Sequence, residues 1–336
     1  MMIRITWARV AAAVAAIGVA GMAFAWSGLF NLAASSGHWP ITEWFLHWTM
    51  RNSVKTYSAI TAPADPRDDS GMVSAAGLYA ASCAACHGAP GVRPLPVMQA
   101  ASPPAPDLSV NAREWTDRQL FWIVKHGVKY TGMPGWAAKD RDDEVRRMVG
   151  FVRALPGMSP STYRMLTGGL PLGCAGCHGN DGMGRGQADI PILAGQDTGA
   201  MIAALRGYAG GTRHSAVMAN AAAPLDEAEM AQMARYFAKL PGLTDRLPAG
   251  DSAAARIVRD GLPDKQLPAC AACHAPGKPY PRLTGQRASY IAQRLRQWRG
   301  EETVVDARKP QDSMAVIARR IPEDMIDPLA RHFAGQ

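Results

Sequence analysis

From Val10 to Thr42 the chain has no charged side chain, and the apolar part of this stretch runs from about Val10 to Phe30. About 20 apolar residues in succession are enough for a helix to cross a bilayer. Arg4 and Arg9 precede the stretch, which predicts an N-terminus held in the cytoplasm and the remainder exported. Ala23-Phe24-Ala25 also fits a cleavage site, so a cleaved signal peptide is the rival reading. The apolar run continues past that site, which favours a retained anchor over residues 1–35. Residues 36–70 change character. Trp39, Trp44, Phe45 and Trp48 are followed by Arg51 and Lys55, the mixture expected of an interfacial segment. Such a segment lies on a membrane or packs against a membrane subunit of a partner. Thr61 to Ser70 has the Pro, Asp and Ser content of a linker.

Beyond residue 70 the pattern becomes a repeat of short helices separated by Gly- and Pro-rich loops. Helices are expected at about Met72 to Cys86, Asp142 to Leu155, Leu225 to Leu240 and Pro322 to Phe333. Asp226 and Glu227 near the start of the third, and Lys239 near its end, suit the helix dipole, and Pro241-Gly242 stops it. Pro156 to Pro160 and Pro241 to Ser252 are breaks. They divide the remainder into 71–157, 158–248 and 249–336. The expectation is an all-α chain of three tandem lobes after an N-terminal transmembrane helix.

Each lobe contains Cys-x-x-Cys-His: Cys83-Ala84-Ala85-Cys86-His87, Cys174-Ala175-Gly176-Cys177-His178 and Cys270-Ala271-Ala272-Cys273-His274. These account for all six cysteines. Two thiols three positions apart can add to the vinyl groups of one haem, and the next histidine can face the iron; this is the c-type haem attachment signature. Zinc would need two pairs to meet, yet the pairs lie about 90 residues apart and each has its own histidine. A redox dithiol does not need that histidine, and a disulfide scaffold would be shorter and denser in cysteine. Three covalently bound haem c groups are therefore expected. Attachment of c-type haem takes place outside the bacterial cytoplasmic membrane, so the lobes belong on the periplasmic side.

Composition supports cofactor-centred lobes. Aromatics make up only 7% of the chain, and lobes this small bury little surface alone. The macrocycle would supply much of each core, so the chain without haem is expected to be largely unfolded. The formal charge is +8, from 36 basic and 28 acidic residues, before haem propionates are counted. No module interleaves basic and aromatic residues as nucleic-acid binding requires. The densest basic stretch, Arg282, Arg287, Arg294, Arg296, Arg299, Arg308, Lys309, Arg319 and Arg320, is interrupted by acidic residues and is a weak hint of docking.

A sixth iron ligand is needed for an electron carrier, and methionine is the usual partner of histidine. Met133 lies on the Gly/Pro loop Thr131-Gly132-Met133-Pro134-Gly135-Trp136. Met218 and Met314 follow His178 and His274 at matching distances. The expected iron ligands are thus His87 with Met133, His178 with Met218, and His274 with Met314. His214 and His126 are rivals for the second and first sites. Met98, Met183 and Met201 read as core or loop residues, and His38 and His47 as interfacial ones.

These residues resemble class I cytochrome c from about residue 71 to 336. The second and third lobes resemble the dihaem cytochrome c-four type. The run is CAGCHGNDGMGRG, then Ile190 to Gln196, Gly210-Gly211-Thr212-Arg213, Met218 and MARYFAKLPG; the third lobe follows with CAACH, Tyr280 to Gln286, Met314 and LARHFAGQ. The resemblance implies that the carbonyls of Pro191 and Pro281 accept hydrogen bonds from the proximal histidines. Lobe three keeps the family tyrosine as Tyr290, whereas lobe two has Ala200. Lobe one, with LYAASCAACHGAPG, Pro103 to Leu108 and LFWIVKHGVKYTGMPGW, resembles membrane-bound monohaem cytochromes and cytochrome subunits of periplasmic dehydrogenases. The implied function is electron transfer between a donor (a dehydrogenase or quinol-linked complex) and an acceptor such as a terminal oxidase, with no catalytic residue of its own. The alternative is a haem enzyme, peroxidase-like or reducing a small oxide, with one displaceable axial ligand.

Overall fold

The computed structural model describes residues 6–168, 173–300 and 313–336. Arg4, Arg308 and Lys309 lie outside the described residues. The described residues are helical with irregular connections, and their only extended pairings are isolated bridges such as Thr244 with Thr284.

Helix α1 spans Trp7–Trp26, capped by the Thr6 side chain. Its apolar residues meet no protein core: Trp7 and Trp26 at its two ends are 89% and 92% exposed. At 1.5 Å per residue its 20 residues extend about 30 Å, the thickness of a bilayer's hydrocarbon core. It is the one described helix long and apolar enough to cross a membrane.

Helix α2 spans Pro40–Thr61, with proline in its first turn. Its two halves differ. Trp39, Trp44, Phe45 and Trp48 around the N-terminal half are exposed, while Val54 and Ser58 in the C-terminal half are buried. The buried half packs on α4, Asp117–His126, where Tyr57 stacks on Trp122 at 6.0 Å. Arg118 of α4 donates to the carbonyls of Ser58, Ala59 and Ala62 at 3.3, 3.0 and 2.9 Å. These carbonyls lie in the last turn of α2, where the Ser58 carbonyl also accepts the Ala62 N–H at 3.2 Å, so the guanidinium adds a donor at the negative end of the helix dipole.

The helix expected at Met72 to Cys86 forms as α3, Met72–Leu78, continuing through a π turn at Tyr79–Cys83 into a helical turn at Ala84–His87. Helix α5, Asp142–Ala154, buries Val145, Met148, Val149, Phe151 and Val152 against α3 and α4. Helix α6, Pro160–Thr167, is capped by Ser159 and sends Tyr163 into the same core.

The later helices repeat element for element. Helices α7 (Thr198–Ala209), α8 (Ala216–Ala222) and α9 (Glu227–Ala238) are followed by α10 (Ala253–Asp260), which leads to the last motif. Then α11 (Ala288–Arg299), α12 (Ser313–Arg320) and α13 (Ile326–Ala334) take the places of α7, α8 and α9. The start of α9 is a capping box between Asp226 and Glu229, which moves its first residue past the expected Leu225. Likewise Pro322 precedes a 3-10 turn, Glu323–Met325, and the α-helix begins only at Ile326. The Gly195 N–H reaches the Phe237 carbonyl at 3.0 Å, and Gly285 reaches Phe333 at 2.9 Å, so each loop is tied to its own last helix in the same way.

Candidate haem-binding sites

Each Cys-x-x-Cys-His forms about one turn of helix. Cys174–His178 is a free-standing α turn, and Cys270–Ala272 is a 3-10 turn whose end is closed by the His274 N–H on the Cys270 carbonyl at 2.9 Å. A turn of helix puts residues three apart on one face, so both thiols and the following histidine address one side of the backbone. Gly88 (φ 66°) and Gly179 (φ 78°) end the first two turns in the left-handed region that glycine tolerates. All six cysteines are free and half-buried. Burial pushes the Cys83 and Cys270 thiols up to about 11 and raises Cys174 and Cys177 as well. Cys83, Cys174 and Cys270 pack against apolar clusters, whereas a reactive dithiol has a lowered value.

The three motif histidines share one kind of hydrogen bond. His87 Nδ1 lies 2.8 Å from the Pro106 carbonyl, His178 Nδ1 lies 3.3 Å from Pro191, and His274 Nδ1 lies 2.8 Å from Pro281. A carbonyl only accepts, so the proton is on Nδ1 and the Nε2 lone pair is free for a metal. Burial lowers the pKa of His178 to about 4 and lowers that of His274, which keeps both in the neutral, ligating form. Two thiols and one Nε2 on each turn fit covalently bound haem c. Pro191 and Pro281 have the partners the sequence implies. Pro106 does the same for the first motif; its place in a proline-rich loop after the motif was the available signal.

The three methionines are half-buried in different settings. Met133 lies on a loop pinned to the end of α4: Val128 N–H donates to its carbonyl at 3.2 Å and Trp136 N–H donates to Lys125 at 2.9 Å. Gly127 permits that approach, because a Cβ there would lie 2.5 Å from the Pro134 backbone. Met218 lies in the first turn of α8, the helix before α9, and its N–H donates to Ser215 Oγ at 3.1 Å. Met314 opens α12 and packs in the apolar cluster that includes Cys270 and Leu283. The rivals are otherwise engaged. His214 is exposed and paired with Asp140 at 2.6 Å, and His126 packs on the Trp122 ring at 5.1 Å. Met201 is buried in the cluster with Cys174 as core filling, while Met98 and Met183 are exposed. Exposed His38 and His47 lie in the segment leading into and through α2.

Sequence reasoning assigned no role to three buried polar side chains, Gln196, Gln286 and Glu144. Gln286 accepts from the Ile192 N–H at 3.0 Å and donates to the Ile192 carbonyl at 3.1 Å. Gln196 does the same with Arg282, at 2.7 and 3.1 Å. The two glutamines occupy equivalent positions of the repeat, and so do Ile192 and Arg282. The exchange is therefore reciprocal, and each glutamine grips the residue just after the proline that holds the other motif's histidine. The equal spacing of the glutamines in the two runs was the signal for it.

Helical turns that present two thiols and an Nδ1-oriented histidine are the attachment geometry of a c-type cytochrome. The comparisons place the chain in that family: it belongs to the c-type cytochromes. Residues 72–152 match the family described as cytochrome c oxidase, cbb3-type, subunit III. The chain is 34% identical to the "Thiosulfate dehydrogenase electron acceptor" of Stutzerimonas stutzeri, over 49% of this chain and 79% of that protein. It is 30% identical to a "Cytochrome c4" of Thiocapsa roseopersicina, over 48% of this chain and 86% of that protein. Among solved structures, reduced recombinant cytochrome c4 from Pseudomonas stutzeri aligns at 28% identity with TM-score 0.41, covering 48% of this chain and 92% of that one.

Proposed function

We propose that the chain is a membrane-anchored electron carrier with three covalently bound haem c groups, one on each motif, in lobes 71–157, 158–248 and 249–336. The observation that carries this reading is the hydrogen bond from each of the three motif histidines to a prolyl carbonyl. A carrier needs the ring fixed through oxidation and reduction, and this bond fixes both its rotation and its tautomer. Bound haem supplies an iron that cycles between ferric and ferrous states. His87, His178 and His274 hold one axial position in this reading, and Met133, Met218 and Met314 the other, which raises the potential and closes the iron to substrates. The chain therefore acts as an electron-transfer subunit and not as an enzyme.

Helix α1 is the anchor, with tryptophans at both ends at the level where aromatic belts form. The exposed aromatic half of α2 rests at the periplasmic interface, and Arg118 joins α2 to the first lobe. Relatives described as electron acceptors of thiosulfate dehydrogenase favour a periplasmic dehydrogenase of that kind as donor, with a terminal oxidase as the acceptor. The test is intact mass and haem content of the protein from detergent-solubilised membranes, followed by rapid mixing with a thiosulfate dehydrogenase and thiosulfate. Three haems per chain, an uncleaved N-terminus and haem reduction within the mixing experiment are expected. Two haems, or a chain starting near Trp26, would overturn the corresponding part. Reduction by quinol but not by the dehydrogenase would replace the donor.

A further inference from the structure

We infer that Glu144 is a positioning residue shared by two haem sites, tying the segment that carries Met133 to the segment that carries Met218. This rests on the reading of both methionines as iron ligands.

Glu144 lies in the first turn of α5, and the residue is only 5% exposed. Its carboxylate is surrounded by donors from three directions. Ser215 Oγ donates to Oε1 at 2.6 Å, and Arg141 pairs with the same oxygen at 3.0 Å. The Ala216 N–H donates to Oε2 at 2.8 Å, and Trp136 Nε1 approaches it at 3.4 Å. Trp136 stands three residues after Met133. Ser215 and Ala216 stand three and two residues before Met218, and Ser215 Oγ also accepts from the Met218 amide at 3.1 Å. One buried carboxylate is thus two hydrogen bonds from the Met218 backbone and one from the loop that presents Met133. Arg141, which pairs with it, also donates to the His214 carbonyl at 2.8 Å.

The second contact set is not an accident of two surfaces meeting. Ala216 and Val217 pack into the apolar core of the first lobe, and Asn220 hydrogen-bonds Ser82 beside the first motif. Helix α8 is seated on the first lobe while its methionine serves the second. Both carboxylate oxygens accept only, which is what four converging donors need. Glutamine at this position would turn an amide N–H₂ toward one pair of donors, whichever way it faced.

The experiment compares Glu144→Gln, Trp136→Phe and Ser215→Ala as ferric, haem-loaded proteins. Amide hydrogen exchange is read on peptides covering 131–137 and 214–218, and the long-wavelength sulfur-to-iron absorption is read in parallel. Loss of a charge-assisted hydrogen bond at each end should speed exchange in both segments of E144Q by about tenfold or more. W136F should affect the first segment alone and S215A the second alone. The absorption contributed through Met133 and Met218 should weaken in E144Q while that through Met314 stays, which general loss of structure would not produce. Parent-like exchange in either segment of E144Q overturns the shared role. If E144Q does not fold, parent-like exchange in both single-arm variants overturns it. Faster exchange in both segments with full absorption shows that Glu144 ties the segments without setting the methionines and overturns the positioning role; Met133→Ala and Met218→Ala test separately whether those methionines are ligands.

Discussion

Replacing Gln286 by leucine keeps the volume of a side chain that is 4% exposed and removes both of its hydrogen bonds to Ile192. The N–H and carbonyl of buried Ile192 are then left without those partners. A buried polar group stranded in this way costs about 1–3 kcal/mol, so the variant should lose roughly 2–4 kcal/mol after partial relaxation. The equivalent change at Gln196 strands the backbone of Arg282, which is only half-buried. Water can replace much of what is lost there, and a cost of about 1 kcal/mol is expected. The two replacements are alike in sequence and should differ in energy.

The assay is guanidinium unfolding of the haem-loaded protein, followed by haem absorbance and tryptophan fluorescence. Q286L should lower the midpoint clearly more than Q196L does. A second consequence follows from position. Ile192 adjoins Pro191, whose carbonyl orients His178, so Q286L should disturb the redox titration of the second motif while the third motif, whose glutamine is changed, keeps its own. If Q286L unfolds within about 0.5 kcal/mol of the parent, or if Q196L is the costlier change, the reciprocal exchange does not hold the two repeats together.

Met133→Ala, Met218→Ala and Met314→Ala should each remove about one third of the sulfur-to-iron absorption; a variant with the full band shows that its methionine is not a ligand. A Cβ added at Gly77 of α3 would stand 3.0 Å from Cys177 Sγ, so Gly77→Val should hinder attachment at the second motif. Intact mass should then show a species lighter by one haem, and an unchanged mass distribution refutes the close approach. Burial raises the pKa of Asp143, but its hydrogen bond to Arg141 and the charges of Arg141 and Arg147 outweigh this and leave it below the ordinary value. Its stabilising contribution is therefore full above about pH 4 and is lost as pH falls through the lower folded value. The stability gap between the parent and Asp143→Asn should close in that acid range, and a gap that is constant down to about pH 3 contradicts the pairing.

Much of this arrangement could be read from the residues, because covalent chemistry leaves a strict local pattern. The attachment turns and the carbonyls of Pro191 and Pro281 stand where the motifs imply, and the apolar run forms one long exposed helix. Helix ends were displaced by capping. Asp226 and Glu229 bind each other's backbone and start α9 late, a competition between side chain and helix that hydrophobic spacing does not register. Glu144 was illegible for a different reason. In sequence it is the third acidic residue at a helix start, the ordinary complement of a helix dipole. Its four donors come from Trp136, Arg141, Ser215 and Ala216, and two of those residues lie about 70 positions away.

Helix α8 shows why proline-rich breaks are a poor guide to how such units cooperate. Its sequence, AVMANAA, is short and made of small residues, so it has no broad apolar face with which to build a core of its own. Small side chains allow close approach on more than one side. One side of α8 meets α7 of its own unit and another meets α3 of the unit before. Two neighbouring sites joined through such a helix cannot relax independently, because moving Met218 moves Ala216 against the core that surrounds the first motif. Under the proposed ligation by Met133 and Met218, an electron carrier gains from that stiffness: less rearrangement around each iron at a change of charge means a smaller barrier to passing the electron on. The second and third motifs are joined by the glutamine exchange and the first and second by α8 and Glu144, so the chain is braced at both junctions by different means.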